Sequence, residues 1–246
     1  MSGKVVSDVF SYLGYTLEVC LFVYLVARGH ARRLWEIVLY LAMSLGVAGA
    51  RSYTLHLYGF SSIKYYYSYW ITDFLLVFTA FTVVVFLFRR ACAQHPEMWR
   101  HLRLLLGVVF FVVTVISLLS LSNSKEQIYS LFIIQFSQNL YFACLVLNTL
   151  LYLLVLKTEI ADDRLGLLVC GLGIEFAGPA AGLALIYLTR GAEIGRLVGV
   201  YLVPLCDIGM ILTWFYAVSR TSEATKAPQS KVRASRILAE ESATNF

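Results

Sequence analysis

Apolar residues in this chain fall into seven runs, separated by short polar or charged segments. Each run has about 20 residues, the length that an α-helix needs to cross the hydrocarbon core of a bilayer. Apolar stretches of this length are typical of membrane-spanning helices and too long for strands. We place the seven predicted spans at residues 8–27, 34–57, 66–88, 102–122, 129–156, 165–188 and 197–219.

The composition agrees with this pattern. Hydrophobic residues make up 59% of the 246 residues, and charged residues only 14%. Soluble domains carry roughly 25% charged residues. The predicted fold class is therefore all-α, a polytopic membrane protein built as a seven-transmembrane-helix bundle. Residues 1–219 form the transmembrane domain, and residues 220–246 form a short basic and polar tail that we expect to be flexible.

The lysines and arginines are divided unevenly between the two ends of the predicted spans. Most of the 20 follow spans 1, 3 and 5 or lie in the C-terminal tail. The exceptions lie at or near the opposite side: Lys4, Arg51, Lys64, Lys125, Arg190 and Arg196. Because basic residues accumulate in cytoplasmic loops, we expect an outside N-terminus, a cytoplasmic C-terminus and a multi-pass location in the cell membrane.

Several polar side chains interrupt the predicted spans and are the candidate site residues. Ionisable residues inside a membrane span usually face the bundle interior or a water-filled cavity. The ionisable ones are Glu18, Arg51, Asp73, Glu175 and Asp207, in spans 1, 2, 3, 6 and 7. Span 5 adds the amides of Gln135, Gln138 and Asn139.

Arg51 and Asp73 are expected to lie at similar depth, because span 2 runs outward and span 3 runs inward. An opposite charge keeps a buried carboxylate ionised, so we predict that Asp73 pairs with Arg51. Tyr69 lies one helical turn before Asp73 and completes this candidate group. One arginine cannot balance four acids, so we expect at least one of the other three acids to carry its proton at neutral pH.

Glu175 is predicted to point into the bundle. It shares a helical stripe with Gly171 and Gly178, and small residues at that spacing allow close approach of a neighbouring helix. Pro179 follows Glu175 by four residues, and Asp207 also lies close to a proline in its own span. Prolines loosen the helix around both acids.

Two short sequence matches suggest an internal repeat. Spans 1 and 5 share F-S-x-x-x-Y, which ends at Tyr15 and Tyr141, and spans 3 and 7 share Y-x5-D, which ends at Asp73 and Asp207. Seven spans of this kind fit a 3+1+3 parallel repeat. Such a repeat would put the two aspartates in equivalent places.

The seven-helix topology, with acids in spans 3 and 7 and an arginine nearby, resembles that of the microbial rhodopsins. In that family a lysine four residues after an aspartate of the last helix binds retinal. Ile211 stands at this position after Asp207, and no predicted span contains a lysine. Without this lysine, retinal cannot be bound as it is in that family. We therefore expect no cofactor. The segment "YYYSYW" at residues 65–70 is similar to uncharacterised small bacterial seven-helix membrane proteins, which implies no activity.

Motifs of enzymes are missing from the sequence. The four histidines are scattered, with no metal-ligand spacing, and no nucleophile elbow or phosphate-binding glycine loop is present. We therefore expect neither enzymatic activity nor a metal. The positive charge lies in short loops and the tail, as membrane topology requires, so we expect the lipid bilayer rather than nucleic acid as partner.

Three functions fit these features. The first is a receptor- or sensor-like protein, with an outward-leaning polar pocket for a small ligand and an output through a cytoplasmic or membrane protein partner. The alternatives are a proton- or cation-coupled small-solute transporter or channel that uses the intramembrane carboxylates, and a structural subunit of a membrane complex. A cavity open on one side favours the first, a continuous aqueous route the second, and a bundle without a cavity the third.

Overall fold

The computed structural model describes residues 2–93, 95–121, 128–157, 163–189 and 201–219. Over these ranges the protein is all-α, with seven α-helices, one short 3-10 helix (His30–Arg32) and no strand. The α-helices are α1 (Ser2–Ala27), α2 (Trp35–Tyr58), α3 (Ile63–Ala91), α4 (Pro96–Leu121), α5 (Ile128–Lys157), α6 (Asp163–Thr189) and α7 (Val203–Ser219). The predicted tail, 220–246, lies outside the described residues.

Local sequence signals explain several helix ends. The Ser62 side chain caps α3 and accepts a hydrogen bond of 3.3 Å from the backbone N–H of Lys64. Gly59 ends α2 with a φ of 74°, a conformation that favours glycine. Pro96 opens α4, where a proline has no helical hydrogen bond to lose. Helix α4 therefore begins six residues before the predicted span at 102–122. The span was placed from apolar residues alone, whereas the helix also includes the polar residues that precede them.

The helices form a ring with one helix outside it. Going round the ring, α1 packs on α2, α2 on α3, α3 on α5, α5 on α6, α6 on α7, and α7 again on α1. Helix α4 packs mainly on α5, outside the ring. Helices α1 and α7 are parallel neighbours, and consecutive helices run antiparallel.

The outer surface of the bundle is apolar, the reverse of a soluble protein. On α4, for example, Leu104 is 70% exposed and Phe111 is 67% exposed. Four helical segments among the described residues are long and apolar enough to cross a membrane: Ile63–Ala91, Pro96–Leu119, Phe132–Lys157 and Arg164–Gly182. These helices indicate an integral membrane protein. The crossing of the bilayer by all seven helices remains a prediction.

The two ends of the bundle differ in character. We call them the α1–α2 end and the α2–α3 end, after the helices that are joined there. The half towards the α1–α2 end has an apolar core, and its most deeply buried members include Leu25, Leu41, Val84, Leu151 and Trp214. The half towards the α2–α3 end contains most of the polar side chains, and the candidate site lies there.

Candidate functional site

A cavity of about 400 Å³ lies inside the helix ring. Every helix except α4 contributes to its wall. Four of the predicted ionisable residues line it, namely Arg51, Asp73, Glu175 and Asp207, together with Tyr69 and Gln138. Small-molecule sites in proteins have volumes of about 300–1,000 Å³, so the cavity has the size of a binding site.

Arg51 joins α2 to α3 at the wall of this cavity. Its Nη2 lies 3.2 Å from Oδ1 of Asp73, which forms the predicted ion pair. Its Nε donates a 2.9 Å hydrogen bond to Oγ1 of Thr72, and Nη2 also contacts the backbone carbonyl of Tyr69 at 3.3 Å. The guanidinium carbon lies 4.2 Å from the centre of the Tyr69 ring, a cation–π contact. The arginine is therefore held on several sides.

Glu175 and Asp207 form a second polar group, deeper in the bundle. Both side chains line the main cavity, one from α6 and one from α7. The hydroxyl of Tyr40 on α2 donates to Oε1 of Glu175 at 3.4 Å. Tyr40 is itself fixed by an edge-on contact with Trp214, with 5.6 Å between ring centres.

The backbone of α6 adds a further acceptor beside this acid pair. Pro179 lies inside α6 and lines the cavity. A proline has no N–H, so it cannot donate to the carbonyl oxygen of Glu175, four residues earlier. Glu175 therefore presents two kinds of acceptor near the cavity, its carboxyl group and a carbonyl without its helical donor.

Glu18 lies behind the acid pair, in a smaller chamber of about 80 Å³. Tyr15, Ser44 and Asp207 line both this chamber and the main cavity. Glu18 is 5% exposed, and among the described residues its Oε1 has no hydrogen-bond partner. A buried carboxyl oxygen without a partner is costly, which favours a polar occupant of the chamber.

Close contacts with α7 hold α6 in place at this depth. A Cβ added at Gly171 would lie 2.6 Å from the Trp214 ring, and one at Gly178 would lie 3.1 Å from Cys206. Nε1 of Trp214 donates to the carbonyl of Leu168 at 2.9 Å, which fixes the ring. The glycine stripe found in the sequence is therefore the face on which α6 and α7 meet, and it keeps Glu175 near Asp207.

The three amides of α5 have different surroundings. Gln138 lines the cavity, whereas Gln135 is half-buried and lies outside the cavity wall. Asn139 donates a 3.0 Å hydrogen bond to Oγ of Ser117 on α4, so it points away from the ring interior. The structure therefore brings six of the nine predicted site residues to the main cavity and places Glu18 in the adjoining chamber.

Sequence reasoning did not include several residues of the wall among the candidates. Tyr15, Ser44, Trp70 and Tyr141 all line the cavity, and Tyr40 contacts its acid pair. A signal was available on α2, where Tyr40, Ser44 and Arg51 share one helical face. Tyr15 and Tyr141 entered the sequence interpretation only as the matched ends of the repeat motif.

Among the described residues, no group of three or more His, Cys, Asp and Glu side chains has the arrangement of a metal site. Comparisons with protein-family models, with curated proteins and with solved structures find no match to this chain. The functional interpretation therefore rests on the cavity and its residues.

Proposed function

We propose that the protein is a receptor- or sensor-like membrane protein that binds a small ligand in the central cavity. The observation that supports this most is the cavity itself, about 400 Å³ in volume and lined by polar side chains of the helix ring. This volume suits a small molecule, and the wall brings charged, amide and aromatic side chains of six helices to one place.

The proposed topology places all seven helices across the cell membrane, with the N-terminus outside and the C-terminus in the cytoplasm. The distribution of lysine and arginine supports this orientation. The cavity would then lie in the outer half of the membrane. The short basic loops and the tail would meet a partner protein in the cytoplasm, through which the signal would leave.

The proposed 3+1+3 repeat gains support from the composition of the cavity wall. Tyr15 and Tyr141 are the equivalent tyrosines of the two halves, and Asp73 and Asp207 are the equivalent aspartates. All four line the same cavity. A parallel repeat would bring equivalent positions around one central site in this way.

The floor of the cavity supports sensing over transport. Below the acid pair, towards the α1–α2 end, the side chains of Val77, Leu172 and Trp214 are each fully buried. An aqueous route to the cytoplasm would have to pass through this apolar layer. A transporter is the second candidate, because Pro179 lies beside the acid pair, and broken helices next to midplane acids are a feature of carriers.

Labelling of a single cysteine tests the proposal. Ala48 lines the cavity and is changed to cysteine in a variant without the five native cysteines. Thiol reagents that cannot cross membranes are then added to right-side-out and inside-out vesicles. We expect labelling only from the outer side.

The matched control is Ala80→Cys in the same variant. Ala80 is 1% exposed and belongs to the apolar core, so a cysteine there should stay unlabelled from both sides. Labelling of Ala48→Cys from the cytoplasmic side would contradict a closed floor and favour the transporter. No labelling from either side would contradict an open cavity.

A further inference from the structure

We propose that the cavity selects a small organic cation, whose charged group binds beside Glu175 and Asp207 and is surrounded by aromatic rings. This inference rests on the proposed function and adds the chemical class of the ligand. Three observations support it: the balance of charge in the cavity, the excess of acceptors at one place, and the aromatic wall.

The balance of charge in the cavity is negative. The charge of Arg51 is compensated by Asp73 at 3.2 Å, and two of its nitrogen atoms already donate hydrogen bonds. An anionic ligand would have to displace Asp73 from this pair. Apart from Arg51, which Asp73 compensates, the described residues that line the cavity include no cation, so Glu175 and Asp207 are left to attract a positive ligand.

The acid pair is also rich in acceptors. Glu175 and Asp207 both line the cavity, and carboxylate oxygens accept hydrogen bonds. A cationic N–H or ammonium group can donate to both of them. Pro179 has no N–H to donate to the backbone carbonyl of Glu175. In the adjoining chamber, the buried Oε1 of Glu18 has no partner among the described residues. These oxygens are further acceptors near the acid pair.

The aromatic rings of the wall suit an organic cation. Four aromatic side chains from three helices line the cavity: Tyr15 of α1, Tyr69 and Trp70 of α3, and Tyr141 of α5. Tyrosine and tryptophan rings attract cations over their faces, as aromatic cages for quaternary ammonium groups do. The Tyr69 ring already makes such a contact with Arg51 at 4.2 Å.

An inorganic cation fits this wall less well. Metal ions need several oxygen ligands that converge at short distance, and the described residues contain no such group of three acids, histidines or cysteines. A volume of about 400 Å³ also exceeds what a bare ion requires. An organic cation would use both the acids and the rings.

The Ala48→Cys variant provides the test, with thiol reagents as the probes. Two methanethiosulfonate reagents are compared at equal concentration, one with a trimethylammonium group and one with a sulfonate group. The rate at which each reagent labels the cysteine is divided by its rate of reaction with a free thiol in solution, which corrects for its intrinsic reactivity. Clefts lined by charge of one sign raise the association rate of opposite charges by at least about tenfold. We expect the cationic reagent to be favoured by about that factor.

Substitution of the acids tests which carboxyl groups cause the preference for the cationic reagent. Glu175→Gln and Asp207→Asn should each reduce the preference for the cationic reagent. The two changes are made in separate variants, so that the test remains possible if one variant does not fold. Glu97→Gln is the control, because Glu97 lies on the exposed surface of α4, and it should leave the preference unchanged. Tetraethylammonium should slow the labelling by both reagents.

Two results would overturn the inference, and they can be told apart. Equal rates for the two reagents, or a preference that survives both acid substitutions, would contradict cation selection while leaving an accessible cavity. No labelling by either reagent would contradict the proposed function itself, and the ligand class with it.

Discussion

Nη2 of Arg51 lies 3.2 Å from Oδ1 of Asp73, across the contact between α2 and α3. The two side chains are 24% and 15% exposed, so the pair is partly shielded from solvent. It lies at the wall of the cavity, one helical turn from Tyr69. The pair therefore fixes the register of two helices and also compensates the positive charge of Arg51 in the site.

Separation of this pair should destabilise the protein. Asp73→Asn leaves the Arg51 guanidinium without its counter-ion, and we expect a loss of about 1–3 kcal/mol in the free energy of unfolding. Arg51→Gln should have a similar effect, for the converse reason. Thermal unfolding of the purified protein in detergent measures both.

The double variant is the control for this prediction. Because each single change removes the same interaction, Arg51→Gln combined with Asp73→Asn should cost clearly less than the sum of the single changes. Strictly additive losses would mean that the two residues stabilise the bundle independently.

Packing of α6 on α7 gives a second prediction. Gly171→Ala places a methyl group 2.6 Å from the Trp214 ring, which cannot move freely because its Nε1 is bonded to the Leu168 carbonyl. We expect a loss of about 1–3 kcal/mol from overpacking. Gly166→Ala on the same helix is the matched control, since its nearest contact is an ordinary 3.8 Å. Equal stability of the two variants would contradict the close approach.

The amides of α5 give a third prediction. Asn139→Ala loses the hydrogen bond to Ser117 and should cost about 1 kcal/mol of stability, without changing the labelling of Ala48→Cys. Gln138→Ala alters the cavity wall, so it should change the labelling rate but shift stability by less than about 0.5 kcal/mol. The opposite pattern would show that Asn139, rather than Gln138, belongs to the site.

These two amides also illustrate what the sequence could predict. The helices, the Arg51–Asp73 pair and the inward direction of Glu175 followed from apolar length, depth and the 3.6-residue period. Gln138 and Asn139 could not be separated without the neighbouring helices, because adjacent residues differ by about 100° around a helix. One of them faces the ring interior and the other faces α4, whose position outside the ring was not predicted.

The hydroxyl-bearing residues of α2 were still harder to predict as part of the site. Tyr40 and Ser44 lie in an apolar span where neither carries a charge, so their hydropathy did not distinguish a packing role from a site role. Their importance comes from α6 and α7, which bring Glu175 and Asp207 to them. Contacts of this kind depend on which helices become neighbours, information that a single span does not contain.

The orientation of the protein can be tested at the end of α3. Cys92 is 1% exposed, and burial raises the pKa of its thiol. Less of it is thiolate at a given pH, so maleimide should label it slowly at neutral pH and faster only above the ordinary thiol range. Ala93→Cys, at the exposed next position, should react quickly.

For this test, Ala93→Cys is made in a chain without the native cysteines. An impermeant maleimide should label it in inside-out vesicles only, because this end of the bundle is predicted to be cytoplasmic. Labelling in right-side-out vesicles would reverse the proposed topology. Rapid labelling of Cys92 at neutral pH would contradict its burial.

Proton flux in liposomes tests most directly whether the cavity is closed at its floor. Wild-type protein and Asp207→Asn are reconstituted at equal density, a pH gradient is applied, and the internal pH is followed with a trapped dye. A ligand-binding cavity above an apolar core predicts that both proteins give the same flux as liposomes without protein. A flux that wild-type protein adds and Asp207→Asn removes would contradict the receptor-like account and establish a proton path through the acid pair.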